Sequence, residues 1–287
     1  MNYKLTTSLD GTKKIDFENG YTAVIIPTKD EKYAVCVSCQ IGCPVGCKFC
    51  YTGKMGFKNN LTAEQIVDQV RTANTIIGRL KLGKAKLIPA EQVQLWNPTT
   101  VVFMGMGEPL LNLNNVIAAA EIMHKEFQLA YKHITISTSC LSNIKKLLDI
   151  PFNVALSLHS PFDEVRKKLI PSTITIAEII EFAKAYCAKN RKRELMIEYA
   201  LMKGVNDSDE DLQALRALQW PKKATFNFIE YNDLGEYKNS GRERLFYFKQ
   251  AMIDAGFKSF IRYSRGPDIK AACGMLDVTM PVKFLSP

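Results

Sequence analysis

The sequence is poor in histidine and tryptophan, and it has no long apolar run, no internal repeat and no low-complexity tail. Three His and two Trp occur among 287 residues. No stretch reaches the roughly 18 apolar residues that a membrane-spanning helix needs. Residues 1–8 carry no apolar run after their charge, so a secretory signal is not predicted. These absences predict a cytoplasmic protein without a membrane partner.

Cysteine is frequent by comparison, with eight residues. Because no export signal is predicted, we expect a reducing compartment, where cysteines act as metal ligands, reactive thiols or small core residues. The chain carries 38 Lys and Arg against 29 Asp and Glu, a formal charge of +9. That balance permits an anionic partner such as nucleic acid, but solvated lysines would give the same balance. Charge alone leaves both interpretations open.

Predicted strands and helices alternate along the chain, which is 47% hydrophobic and long enough for one α/β barrel of about 250 residues. Buried or alternating apolar patterns predict strands at 21–27, 34–40, 99–104, 132–137, 152–158, 194–202, 224–231 and 258–263. Helical spacing predicts helices at 62–78, 113–127, 141–148, 175–189, 208–218 and 241–255. This order favours a parallel sheet or barrel with right-handed crossovers.

A basic segment at 79–98 is too long for an ordinary connection in such a fold. It contains Lys81, Lys84, Lys86 and Trp96. We interpret it as a solvated loop with one packed Trp, and an RNA-contacting flap is the alternative.

The motif CPVGCKFC at 43–50 places three thiols in the spacing CxxxCxxC. Three thiolates, from Cys43, Cys47 and Cys50, can hold three irons of a cubane cluster and leave the fourth iron open. A structural zinc site usually uses two CxxC pairs or Cys with His, and the segment 43–50 contains no second pair and no His. The motif therefore predicts a 4Fe–4S cluster, and we hypothesise that S-adenosylmethionine (SAM) binds at the open iron.

Small polar residues follow the predicted strands, where barrel enzymes carry their active sites. The motif GMGEP at 105–109 offers Gly107 for close backbone approach to a ligand and Glu108 for the SAM ammonium group. Hydrogen-bonding groups follow the later strands, at Ser137, Ser157, Leu158, His159 and Asn232. Each alone is typical of a turn or a helix cap, but together they predict a cofactor site. We interpret His159 as a cofactor or core contact.

The other cysteines differ in their surroundings. Cys140 and Cys187 lie in helical or pre-helical segments typical of inert packing residues, and strand alternation points Cys39 away from its neighbours. Cys273 lies between Gly266 and Gly274, as expected of a mobile loop. The nearby Arg265 and Lys270 could lower the pKa of its thiol and make it a nucleophile, and an inert loop cysteine is the alternative.

Several blocks together resemble the radical-SAM adenosine methyltransferases of the RlmN/Cfr family. They are CVSCQIGC at 36–43, the cluster cysteines, GMGEPLLN at 105–112, STS at 137–139, LSLH at 156–159 and AACG at 271–274. The resemblance implies an α/β fold: a radical-SAM partial (β/α)6 barrel over 34–287, with a C-terminal catalytic-cysteine loop. A short N-terminal β extension would occupy 1–33.

The resemblance also implies a two-cysteine mechanism. A first SAM methylates Cys273, and a second SAM, reduced at the cluster, gives a radical that activates this methyl group for addition to an adenine carbon. Cys36 then attacks Cys273, releasing the product and leaving a disulfide. SAM would be held by the strand-end set, namely Gly107, Glu108, Ser137, Ser157, Leu158, His159 and Asn232.

On this resemblance we expect an enzyme that methylates an adenosine carbon, C2, in rRNA or tRNA. Its partners would be RNA and an electron donor such as flavodoxin or ferredoxin, and we expect a monomer. A radical-SAM enzyme of this fold acting on a peptide or a small nucleotide is the alternative.

Three features depart from the family pattern. The strand at 21–27 begins so early that we expect the family's N-terminal helical domain to be missing. Thr22 stands where the family carries a proton-transferring Glu, and Glu18 is the nearby carboxylate available as a substitute. Asp233 follows Asn232 where the family has Pro.

Overall fold

A computed structural model describes residues 2–29, 32–84 and 98–277, and its main feature is a ten-stranded mixed sheet. The described residues contain strands β1 Tyr3–Thr7, β2 Lys13–Phe17, β3 Thr22–Pro27, β4 Tyr33–Cys36, β5 Gln40–Gly42, β6 Phe57–Asn60, β7 Thr100–Phe103, β8 Ile134–Thr138, β9 Asn153–Ser157, β10 Leu195–Leu201, β11 Thr225–Glu230 and β12 Lys258–Arg262. The order in the large sheet is β1-β2-β3-β4-β7-β8-β9-β10-β11-β12, and β5 pairs with β6 separately.

The strands from β4 through β7 to β12 run parallel to one another in chain order. All carboxyl ends therefore lie at one edge of the sheet, where the connecting loops meet. The predicted α/β fold with parallel strands is confirmed. Six of these strands make the predicted barrel units, and β12 adds a seventh strand at the edge.

Strands β1 to β3 form an antiparallel extension of the same sheet. β3 joins β4 antiparallel, so Val24 lies opposite Cys36. Within the extension, Phe17 stacks on Tyr21 with ring centroids 4.8 Å apart. The strand predicted at 21–27 is confirmed as β3, and the division of the chain at 33/34 stays a prediction.

Seven α-helices occur in the described part, and most follow a strand as predicted. They are α1 Tyr51–Lys54, α2 Ala63–Lys84, α3 Leu113–Glu126, α4 Asp163–Leu169, α5 Ile176–Lys189, α6 Asp209–Ala217 and α7 Arg242–Asp254. Side-chain caps fix two of the predicted starts. Thr175 and Ser208 each form a capping box with the residue three positions later.

One helix end was predicted wrongly. α2 continues through Gly78 to Lys84, because a single interior glycine costs a helix only about 1 kcal/mol and does not stop it. The rest of the segment predicted as a basic loop or flap, at 85–97, lies outside the described residues.

Three short elements carry too little pattern to be predicted correctly. All four residues of β6 are exposed, so it lacks the apolar alternation of a half-buried strand. α4 spans two turns, too few to show a helical period. The helix predicted at 141–148 is a 3₁₀ helix at Ile144–Asp149. No helix in the described part of the chain is long and apolar enough to cross a membrane.

Candidate active site

The cysteine loop follows β5 and ends at α1, at the carboxyl edge of the parallel strands. The Cys43 amide donates to the Gly56 carbonyl (3.1 Å), and the Cys50 amide donates to the Cys47 carbonyl (3.2 Å). The side chains of all three motif cysteines line one cavity. This first cavity has about 1040 Å³ of space between its walls, including its open mouth.

Burial raises the pKa of each motif thiol. The pKa of Cys43 rises to about 12, and those of Cys47 and Cys50 also rise, with repulsion among neighbouring thiolates or with Cys273 adding to the effect. Three partly buried thiolates therefore need a compensating positive charge, which a bound iron cluster supplies. Sulfur donors are also the ligands that iron–sulfur clusters use. The donor set fits the predicted cluster.

The described residues contain no group of three or more His, Cys, Asp or Glu placed to hold a single metal ion. A cubane cluster makes a different demand, because each of its irons takes its own thiolate.

The loop after β7 packs against the segment after β4, and its glycines make this possible. A Cβ atom on Gly107, whose φ is +104°, would lie 2.6 Å from Cβ of Gln40. A Cβ atom on Gly105 would lie 2.7 Å from the Val37 carbonyl oxygen. These glycines therefore allow close approach of two segments of the protein itself, which differs from the predicted reason of approach to a ligand. Gly107 does line the first cavity.

Glu108 is a buried carboxylate on the wall of the first cavity, and it ties two strand-end loops together. Its Oε1 accepts from the Leu110 amide (3.0 Å), and its Oε2 accepts from the Ser139 amide (2.7 Å). Burial raises its pKa, and these amide donors act in the opposite direction. A further lone pair on each oxygen leaves capacity for a ligand donor.

The other strand-end residues converge as predicted, with one exception. Ser137, Ser157, His159 and Asn232 all line the first cavity. Leu158 instead lies fully buried in the core, and its carbonyl accepts from Arg166 Nε (3.0 Å).

Arg166 was missed in the sequence analysis, and it organises two of these strand ends. Its guanidinium is fully buried and donates to the carbonyls of Ser139, Ser157 and Ile174 as well as Leu158. Four carbonyl acceptors compensate the burial of its charge. In the sequence it stands in a charged two-turn helix, where a buried Arg looks like any solvated one.

His159 is held as a neutral ring. Its Nδ1 accepts from the Ala200 amide (3.0 Å), and its ring packs edge-on against the Phe49 ring, with the ring centroids 4.8 Å apart. Burial, with repulsion from Arg166, lowers the pKa of His159 to about 3. His159 also has a φ of +58°. The prediction of a contact with cofactor or core is consistent with this placement.

A second cavity adjoins the first and contains the two outlying cysteines. Cys36 and Cys273 both line it, and Cys273 also lines the first cavity. Its remaining walls come from β3, the ends of β11 and β12, Met104 after β7 and the loop that carries Cys273. The cavity has about 1130 Å³ of space including its mouth. Cys36 is buried and Cys273 is exposed. Burial raises the pKa of Cys36 to about 12, and Arg262 acts in the opposite direction.

The Cys273 loop is attached to the cluster loop by hydrogen bonds. The Tyr51 amide donates to the Gly274 carbonyl (2.7 Å), and Thr52 Oγ1 donates to the Leu276 carbonyl (2.8 Å). Asn232 Nδ2 donates to the Cys273 carbonyl (3.1 Å). These bonds fix where Cys273 stands relative to the cluster cysteines, and the predicted mobility of this loop stays a prediction.

An ion pair between a partly exposed Arg and a buried Glu, also missed, lies on the walls of the cavities. Arg262 lines both cavities, and its Nη1 lies 3.8 Å from Glu198 Oε2 and 2.9 Å from Met104 Sδ. Glu198 lines the first cavity, and its Oε2 has no hydrogen-bond partner among the described residues. The alternation of a strand could have shown these side chains facing inward, but not that they meet.

The position that departs from the family pattern lies away from both cavities. Thr22 is buried in β3 and donates from Oγ1 to Asp16 (2.9 Å). Glu18 is exposed and accepts from Asn2 (3.1 Å). Among the described residues, the carboxylates that line the first or second cavity are Glu108, Glu198 and Glu230.

All eight cysteines are free thiols in this structure. Cys39 and Cys140 are buried, and Cys187 is partly buried, as expected of packing residues. The predicted disulfide between Cys36 and Cys273 stays a prediction.

A parallel sheet with a three-thiol loop and polar strand ends around one cavity defines a radical-SAM enzyme. The model of the radical SAM superfamily matches residues 37–215 of this chain. A crystal structure of a radical SAM methyltransferase from Sphaerobacter thermophilus superposes with a TM-score of 0.82 at 33% identity, over 96% of this chain and 80% of that one.

Two curated relatives identify the family within the radical-SAM superfamily. The chain is 37% identical to the dual-specificity RNA methyltransferase RlmN of Desulfotalea psychrophila, over 93% of this chain and 75% of the relative. It is 40% identical to the protein of the same name from Campylobacter hominis, over 95% and 79%. The chain belongs to the RlmN family of radical-SAM methyltransferases. It spans about three quarters of the length of these relatives. Its cofactors are the 4Fe–4S cluster and SAM of this superfamily.

Proposed function

We propose that this protein methylates an adenosine carbon, C2, in rRNA or tRNA, using a methyl group carried on Cys273. The observation that carries the proposal is the shared position of Cys273. It lines both the cavity of the three cluster cysteines and the cavity of Cys36. The names of the relatives support an RNA substrate.

In this proposal the first cavity is the cofactor site. Cys43, Cys47 and Cys50 hold the cluster, and the predicted strand-end set holds SAM. Bound together, the cluster and SAM supply a 5′-deoxyadenosyl radical, and a further SAM supplies the methyl group. Glu108 offers the negative charge that an ammonium group needs, and it is already oriented by the Leu110 and Ser139 amides.

The second cavity receives the target adenosine. Its lining includes the apolar side chains of Val24, Ile26 and Ile261, which suit a nucleobase. Lys29 and Arg265 also line this cavity, and cationic side chains suit the adjoining phosphates. The adenine base would thus lie against the thiols of Cys36 and Cys273, while the RNA backbone contacts the cationic side chains.

Cys273 and Cys36 have different roles in this proposal. Cys273 is exposed, so it can accept a methyl group and present it to the base. Cys36 is buried beside it, and burial raises the pKa of its thiol to about 12. Cys36 is therefore held neutral until it is needed to attack the Cys273 sulfur and release the methylated base, which leaves a disulfide.

Four further expectations belong to the proposal. The chain acts as a monomer in the cytoplasm, it receives electrons from a flavodoxin or a ferredoxin, and the β extension at 1–33 precedes a barrel domain at 34–287. The antiparallel pairing of β3 with β4 supports a continuous sheet across that division.

The proposal is tested with reconstituted enzyme, SAM, a low-potential reductant and rRNA or tRNA under anaerobic conditions. We expect 2-methyladenosine in the digested RNA by mass spectrometry, and a methyl group on the Cys273 peptide before turnover. Cys273→Ala should give neither, while Cys187→Ala, which changes a cysteine that lines neither cavity, should behave as wild type. No methyladenosine from wild type, or full activity in Cys273→Ala, would contradict the proposal.

A further inference from the structure

The outer face of α7 exposes aromatic side chains beside cations. Phe246 is 56% exposed and Tyr247 is 49% exposed, although a solvent-facing helix usually presents polar residues there. Arg242, Phe246 and Lys249 are three or four positions apart, so they lie on one side of the helix. Tyr263, just after β12, is 47% exposed. We call Arg242, Phe246, Tyr247, Lys249 and Tyr263 the aromatic–cation face.

Each aromatic ring of this face has a cation over it. Arg242 lies 5.0 Å from the Tyr263 ring centroid, and Lys249 lies 5.6 Å from that of Phe246. Arg244 lies 4.9 Å from that of Tyr247. Aromatic rings on which bases stack, alternating with cations that contact phosphates, are typical of surfaces that bind single-stranded nucleic acid.

The aromatic–cation face is continuous with the second cavity. Tyr263 lines that cavity, and Arg242 stacks on Tyr263. Arg242 Nε also donates to Glu230 Oε1 (3.1 Å), and Glu230 lines both cavities. A nucleotide chain that leaves the second cavity beside Tyr263 therefore meets Arg242 next.

Most acidic groups near this face already pair with other side chains. Glu230 pairs with Arg242, and Asp209 pairs with Arg244 (2.7 Å). Asp254 accepts from Gln250 (2.9 Å) at the end of α7. Glu243 is the remaining carboxylate of this helix. The side chain of Arg242 is 73% exposed, so its charge stays accessible to a phosphate.

We propose that the aromatic–cation face binds single-stranded nucleotides of the RNA substrate next to the target adenosine. The inference rests on the proposed function, because it takes RNA as the substrate. It goes beyond it by assigning a binding surface on the outside of the barrel, with stacking as the contact and with little dependence on base sequence.

The test measures binding of a fluorescent single-stranded oligoadenylate of about ten nucleotides to the cluster-loaded protein. Phe246→Ala should weaken binding about tenfold, since one stacked base is lost. Lys249→Gln should lower the slope of log affinity against log salt by about 0.7, since one phosphate contact is lost. Leu80→Ala and Lys184→Gln, on α2 and α5, are the matched apolar and charged controls and should bind as wild type.

A second readout separates this inference from the proposed function. Formation of 5′-deoxyadenosine without RNA should be equal in wild type and Phe246→Ala, which shows that the variant is folded and loaded. Binding by Phe246→Ala and Lys249→Gln equal to that of the controls would overturn the inference, even if wild type methylates RNA. So would a protein dimer that Phe246→Ala disrupts, because a second copy would then occupy the face. A weakened oligoadenylate complex would support the surface even if no methylation were found.

Discussion

The two cavities adjoin one another but are built largely from different parts of the chain. The first is walled by the cysteine loop and by the ends of successive parallel strands. The second is walled by β3, by the ends of β11 and β12, by Met104 after β7 and by the Cys273 loop. They share one wall, formed by Met104, Ile229, Glu230, Asn232, Arg262, Cys273 and Leu276.

In the proposed function, this difference separates cofactor binding from substrate binding. A cofactor site needs many fixed polar contacts, and parallel strand ends supply them at one edge. The second cavity, which the proposal assigns to the substrate, is lined by none of the three motif cysteines. Cys273 lines both cavities, but most lining residues belong to only one of them. Substitutions at those residues should therefore affect cofactor binding and substrate binding separately.

The largest effect is expected in the first cavity. Cys47→Ala removes a thiolate ligand, so the cluster should not form, and both SAM cleavage and RNA methylation should fall to background. Iron content, 5′-deoxyadenosine and methyladenosine are measured on the same preparation. Retention of wild-type iron and SAM cleavage would show that Cys47 is not a ligand.

A change in the second cavity should separate RNA methylation from cluster binding and SAM cleavage. Cys36→Ala should keep iron content and SAM cleavage, because Cys36 does not line the first cavity. Release of methylated RNA should fall to background, because no thiol remains to attack Cys273. Loss of the cluster in Cys36→Ala would mean that the two cavities do not act separately.

A smaller effect is expected where the first cavity rests on a close contact of two loops. Gly107→Ala would place Cβ 2.6 Å from Gln40 at a φ of +104°, so we expect a loss of about 2–4 kcal/mol in free energy of unfolding. Gly204→Ala is the matched control, because its φ is +69° and no atom lies within 4 Å of the added Cβ. It should lose only about 1 kcal/mol, through backbone strain alone.

Urea unfolding of the two variants, with SAM affinity by calorimetry, checks this expectation. Equal losses in both variants would mean that Gln40 moves aside without cost, and that the loop is not fixed by this contact.

The smallest effect is a pH dependence from His159. Burial lowers its folded pKa to about 3, below the ordinary value of 6.5, so between these values the unfolded chain binds the additional proton. Stability from the neutral ring is therefore complete above pH 6.5 and is lost as the pH falls toward 3. At pH 5 the loss is about 2 kcal/mol.

His159→Asn is the matched variant, because Asn tolerates a φ of +58° and its Oδ1 can accept from the Ala200 amide as Nδ1 does. Urea unfolding of both proteins at pH 7.5 and pH 5 isolates the His159 contribution. If the variant loses as much stability as wild type between these pH values, the neutral buried ring is not the cause.

Local sequence patterns predicted the fold and many of the residues that line the first cavity. Alternating and continuous apolar runs gave the order of strands, because side chains alternate across a strand and parallel strands are buried on both faces. The loop thiols are close in sequence, so their spacing alone indicated a cluster. The end of α2 was missed because Gly78 is only a weak interruption, and β6 because its exposed residues carry no apolar period.

The sequence by itself therefore determined the three-thiol motif, the parallel strand order and the polar residues at the strand ends, since each depends on neighbours along the chain. It pointed to Cys36 and Cys273 through resemblance, without showing that they face one cavity. Only the tertiary structure decided that β3 and β12 enclose a second cavity, that Arg262 meets Glu198, that Arg166 supports the strand ends and that Gly107 lies against Gln40. These contacts join residues far apart in sequence, and no local period encodes which distant side chains will meet.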